Sequence, residues 1–149
     1  KLRWELYSFA FSQIKDAYDK GFYIECIAII DSLITDRLES YCQYLSHHDD
    51  KQFAAHSVFD AIRNLGTLTK EKGVRDDDFY IINEKIEKWS IQRNRAIHGF
   101  VIVREDSKDD DFHTRKQMTK DAADEGLTIA REVMSYTKKR IRLPTGANS

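Results

Sequence analysis

One proline, Pro144, and six glycines occur in 149 residues. A sandwich or barrel of short strands needs a turn signal about every 8 to 12 residues, so an all-β fold is not expected. Cysteine is scarce too. Cys26 and Cys42 are single thiols on apolar faces, too few for a disulfide framework or a four-thiolate zinc site, and are expected to be core thiols. The longest apolar runs, residues 26–30 and 100–103, fall far below the ~18 residues of a membrane span. The opening KLRWELYSFAFSQIKDAY mixes charge with aromatics and lacks the apolar segment and cleavage site of a signal peptide, so a cytoplasmic location is expected. No charge sign dominates: 24 Lys plus Arg against 25 Asp plus Glu leave a formal charge of -1, which argues against a disordered arm or tail. Gly-rich phosphate loops, a GxSxG elbow and HExxH are all missing, so nucleotide hydrolysis, serine hydrolysis and zinc proteolysis have no local support.

What the sequence does contain is helical period. Trp4, Tyr7, Phe11, Ile14 and Tyr18 recur at spacings of three and four, predicting a first helix that ends near Gly21. Cys26, Ile30, Leu33, Ile34, Leu38, Tyr41 and Leu45 predict a long second one from Phe22. After the polar break HHDDKQ, Ala55, Val58, Phe59, Ile62, Leu65 and Leu68 predict a third, running out at Gly73. VRDDD then offers capping aspartates to a fourth, marked by Phe79, Ile82, Ile86 and Trp89. The stretch 99–118 breaks the period with a β-branched run and an acidic middle, and reads as a loop that allows a short hairpin. Thr119 followed by KDAADE predicts the N-cap of a fifth helix carrying Ile129, Val133 and Tyr136. The expected architecture is an all-α antiparallel bundle of about five helices, one domain over residues 1–142 with a frayed tail at 143–149. Residues 1–50 hold 5 basic and 9 acidic residues, which leaves 19 and 16 for the remainder, a surplus too slight to predict nucleic-acid binding.

Continuing the fourth helix at its own spacing places Arg93 on the apolar stripe, within the polar string Arg93-Asn94-Arg95-Ala96-Ile97-His98. A buried guanidinium is costly unless paired, so Arg93 should face a carboxylate, a cleft or a second subunit. Asn94 and His98, four apart, share a face, and Gly99 is positioned to end the helix in a left-handed conformation. Two readings fit. In one, Arg93 pairs with an acid of the second helix such as Glu25 or Asp31, and His98 is a helix-terminal cation. In the other, an Arg that grips phosphate in a forked geometry works with an imidazole, a group whose ordinary pKa near ~6.5 suits proton transfer, to cut RNA without a metal.

The string RNRAIH resembles the signature of the HEPN superfamily, an Arg followed by a polar residue and, four to six positions on, a His. Here four residues separate Arg93 from His98. The family's helical bundle, with the motif late in the chain and one further helix after it, agrees with the pattern above. The resemblance implies a metal-independent endoribonuclease of toxin, phage-defence or RNA-processing type, free of cofactors. It also implies a homodimer through the fourth-helix region, with motifs from two subunits forming one cleft. Carried over, Arg93 and His98 are the active pair: His98 moves the proton of the ribose 2′-OH or the leaving oxygen, Arg93 holds the scissile phosphate and Asn94 orients it. Arg95 is a neighbouring cation for RNA backbone. An antitoxin or regulatory partner accompanies many such proteins. One subfamily carries a Tyr two positions after the His as a site of AMP attachment; Phe100 stands there and has no hydroxyl to modify. Other members have lost activity, so the rival expectation is a non-catalytic module that binds a nucleotide or a partner protein.

Other polar clusters carry less. His47, His48, Asp49 and Asp50 read as a solvated helix end rather than a metal site. The DDD runs at 76–78 and 109–111 lack the spacing of a calcium loop and read as turns and caps. Lys138, Lys139, Arg140 and Arg142 sit where a helix C-terminus favours cations.

Overall fold

The computed structural model describes residues 2–46, 55–102 and 111–142, and among these every regular element is an α-helix. In chain order they are α1 (Leu2–Asp19), α2 (Tyr23–Leu45), α3 (Val58–Glu71), α4 (Asp77–Val101) and α5 (Phe112–Arg142). The metal-ligand candidates at 47–50, the middle of the hairpin candidate at 103–110 and the tail at 143–149 lie outside the described residues.

Helix boundaries follow from local chemistry. Gly21 at φ +76° closes α1: its N–H bonds the Tyr18 carbonyl at 2.9 Å and that of Phe22 the Ala17 carbonyl at 2.8 Å, the paired bonds of a Schellman end. Gly73, at φ +66°, repeats the arrangement after α3 with Lys70 and Thr69 as acceptors. Ser57 caps α3 by accepting from the Asp60 N–H at 3.1 Å, and Asp76 caps α4 by accepting from that of Phe79 at 3.0 Å.

Three expectations fail around the α4–α5 connection. Gly99 does not end α4, which runs on to Val101, because the buried Arg115 of α5 donates to the carbonyls of Gly99 and, at 3.1 Å, Ile102. A guanidinium on the last carbonyls does the work expected of a left-handed glycine. The stretch 99–118 is not a loop throughout, since its first residues belong to α4 and those from Phe112 to α5. Thr119 is not an N-cap: it is buried inside α5 with its hydroxyl donating to the Lys116 carbonyl at 2.6 Å. Further up the α5 start, Asp111 accepts from the Thr114 N–H at 2.7 Å.

The helices α2 and α5 form the most extensive contact, and α4 packs chiefly on α5. Ile27, Ile30, Ile34 and Leu38 of α2 meet Ile62 and Leu65 of α3, Ile86 and Trp89 of α4 and Ile129 and Val133 of α5 in one buried cluster. Cys26 and Cys42 are free thiols buried in it, and burial pushes the Cys42 thiol up to about 12. Two aromatics expected to face inward do not: Trp4 and Phe59 are about half exposed.

The tightest joint is between α4 and α5. Trp89 is buried with its Nε1–H donating to the Ala122 carbonyl at 2.8 Å, and a Cβ on Gly126 would lie 2.6 Å from its ring. Replacing Gly126 by Ala adds roughly 1 kcal/mol of helix propensity, but its methyl must displace a close-packed indole, a change that costs about 1–3 kcal/mol. Urea unfolding is therefore expected to show Gly126→Ala less stable than wild type; a net gain would mean the joint is loose.

Candidate active site at the end of α4

The polar string lies on the last two turns of α4, and its members face different ways. At 3.6 residues per turn, five positions separate Arg93 and His98 by about 140° around the axis. Arg93 follows Trp89 and precedes Ala96 on the packed face, with its side chain only 14% exposed. Its guanidinium sits 5.5 Å from the Trp89 ring centroid and donates through Nη1 to the Asp31 carboxylate of α2. Nε and Nη2 both donate to Asn94 Oδ1, at 3.2 and 3.1 Å. Of the two acids offered by sequence as partners, Asp31 is the one engaged.

Asn94, Arg95 and His98 are exposed on the outer side of α4. Asn94 connects the two sides, since its backbone belongs to the outer stripe and its amide oxygen holds Arg93. Ile91 and Val101, 70% and 74% exposed, stand on the same stripe as Asn94 and His98.

Two supporting residues were not assigned from the sequence. Arg115, distant in sequence, secures the turn that carries His98. Trp89 was legible only as a core position, yet its ring is the platform under Arg93. Arg140 of the basic tail is engaged with Asp78 at 3.0 Å, with Asp76, and with the Tyr136 ring at 3.7 Å, which makes it part of the bundle. Among the described residues no group of three or more His, Cys, Asp or Glu converges as metal ligands, and no helix is long and apolar enough to cross a membrane. Comparison with protein-family models, curated proteins and solved structures finds no match.

Burial raises the Asp31 carboxyl above its ordinary value, and the charge and hydrogen bond of Arg93, which pull it down, offset only part of that rise. A carboxyl whose pKa is raised on folding contributes stability below its unfolded value and loses that contribution as pH rises through the folded one. The stability of wild type relative to Asp31→Asn should therefore increase as pH falls across the window just above the ordinary carboxylate range. Thermal unfolding of both proteins across that window checks this, and a relative decrease would show that the ion pair outweighs the burial.

Proposed function

We propose that the protein is a metal-independent endoribonuclease that works as a homodimer through the outer stripe of α4. The observation that supports it is the exposed row Ile91, Asn94, His98 and Val101, in which apolar residues flank an imidazole and an amide on a helix whose other side is fully engaged. Apolar residues beside a polar centre suit a partner surface. A two-fold contact of one helix with its copy brings two His98 side chains into a single cleft, and Asn94 carries the connection to Arg93 on each side.

Such a cleft has the groups for transesterification. The ribose 2′-oxygen bonds to phosphorus as one imidazole takes its proton, the bond to the 5′-oxygen breaks, and a second, protonated imidazole supplies the proton that oxygen needs. The product is a 2′,3′-cyclic phosphate and a free 5′-hydroxyl, with no water or metal consumed. For Arg93 to hold the phosphate, its Nε and Nη2 exchange Asn94 Oδ1 for phosphate oxygens at the edge of the packed face, while Nη1 stays on Asp31. Arg95 lies exposed beside the cleft as a cation for RNA backbone.

The Arg93–Asp31 pair also favours a second reading, a non-catalytic dimer module that binds a nucleotide or partner protein, in which Arg93 is a structural cation. Incubation with total RNA and tRNA in excess EDTA separates the two. Cleavage by wild type that leaves cyclic-phosphate ends and drops by at least ~100-fold in His98→Ala, a typical loss for a general acid–base group, is the expected result. No cleavage by folded, dimeric wild type would favour the binding module.

A further inference from the structure

Between α3 and α4 lies an open groove of about 900 Å³. Its α3 wall carries Arg63 and Lys70, seven residues apart and so on one helical row. Its floor holds Arg75, whose guanidinium lies 5.0 Å from the Phe79 ring and 5.7 Å from that of Tyr80 and donates to the Gly66 carbonyl. Gly66 makes room for this, since a Cβ there would sit 3.5 Å from Arg75 Nη2 and 3.3 Å from Phe79. The Nε of Arg75 is buried and has no hydrogen-bond partner among the described residues. Phe59 and Tyr80 are large aromatics about half exposed at the groove edges, where packing gains little from them. Two acids, Glu71 and Glu87, also line it, so three cations leave a net charge of +1. Among the described residues Arg63 is engaged in an exposed pair with Asp60 at 2.9 Å, which costs little to exchange for a phosphate.

Cations on one wall and exposed aromatic faces at the edges are the two elements by which proteins hold single-stranded nucleic acid, one neutralising backbone and the other stacking bases. The groove also has a direction. Tyr80, Asn83 and Glu87 fall on the same stripe of α4 as Ile91, Asn94 and His98, because steps of three, four and seven return to one helical face. From Glu87 to His98 is roughly 16 Å along the axis at about 1.5 Å per residue, a path a few nucleotides long.

We propose that this groove seats the single strand of RNA that flanks the scissile phosphate, with Lys70 and Arg63 on its backbone and Tyr80 stacked on a base. This rests on the ribonuclease reading of His98, and its test must be able to fail separately. Two measurements on the full chain do so. The first is anisotropy of a fluorescein-labelled single-stranded RNA of about 12 nucleotides, titrated with a His98→Ala protein alone and with Arg63→Glu/Lys70→Glu or Tyr80→Ala added. The second, in EDTA, compares kcat/KM for that RNA with kcat/KM for a dinucleotide carrying the same cleaved step.

Reversing the two charges should weaken binding of the long RNA by ten-fold or more and flatten its logarithmic salt dependence by about 1 to 1.5, near 0.7 for each phosphate contact. Tyr80→Ala should weaken binding without changing that slope. On the dinucleotide both variants should act as wild type does, while on the long RNA their loss should fall on KM. Unchanged binding, or equal losses on long and short substrates, would overturn the groove assignment even if wild type cleaves. Conversely, an inert wild type whose RNA binding still depends on Lys70, Arg63 and Tyr80 would overturn the catalytic reading and uphold the groove.

Discussion

The indole of Trp89 fills the space that Gly126 leaves open, and the direction in which α4 presents its polar residues follows from that contact. The apolar stripe of Phe79, Ile82, Ile86 and Ala96 orients α4 towards the core, and a side chain keyed into a neighbour fixes its rotation more tightly. Here the key is a fully buried ring, held by a hydrogen bond to the Ala122 carbonyl and seated where any other residue would carry a Cβ. With Trp89 fixed on α5, Arg93 one turn later must face α2, and the 3.6-residue repeat sends Asn94 and His98 outward. Arg115 completes the arrangement at the far end by holding the last carbonyls of α4.

This gives α4 two sides of different character. The inner side is spent on the bundle, including a guanidinium whose desolvation is offset by Asp31, Asn94 and the Trp89 ring. The outer side is left with the groove at one end and an exposed Asn–His row between two aliphatic residues at the other. Arg93 and His98 therefore do not converge within one chain. Asn94 is the member of the string that touches both sides of the helix, with its backbone on the outer stripe and its amide oxygen on Arg93.

Much of this was legible in the sequence, for definite reasons. Apolar period located all five helices, and Gly21, Gly73 and the aspartates at 76–78 marked three of their boundaries, Asp76 being the one that caps, because left-handed glycine ends and aspartate caps act within a few residues of themselves. The misreadings were at positions decided by distant partners. Gly99 carries the same local signal as Gly73, yet the buried Arg115 keeps the helix going through it. Thr119 looks like a cap but lies inside α5, where its hydroxyl bonds its own backbone. Gly126 offers no sign that an indole requires it. For the site, the choice of an acid on α2 as partner for Arg93 was legible from the cost of a buried charge. The opposite orientation of His98 follows from helical geometry, whereas the Trp89 platform and the Arg115 clamp depend on packing that one sequence does not display.

The central claim, that the outer stripe of α4 is both the subunit contact and the reaction centre, is tested most directly by reading mass and cleavage on the same samples of wild type and Ile91→Asp/Val101→Asp. Sedimentation equilibrium should show a wild-type dimer and a folded monomeric variant, with EDTA-resistant cleavage of RNA lost along with the dimer. A monomeric variant that cleaves RNA as wild type does, or a variant that remains dimeric and fully active, would contradict it.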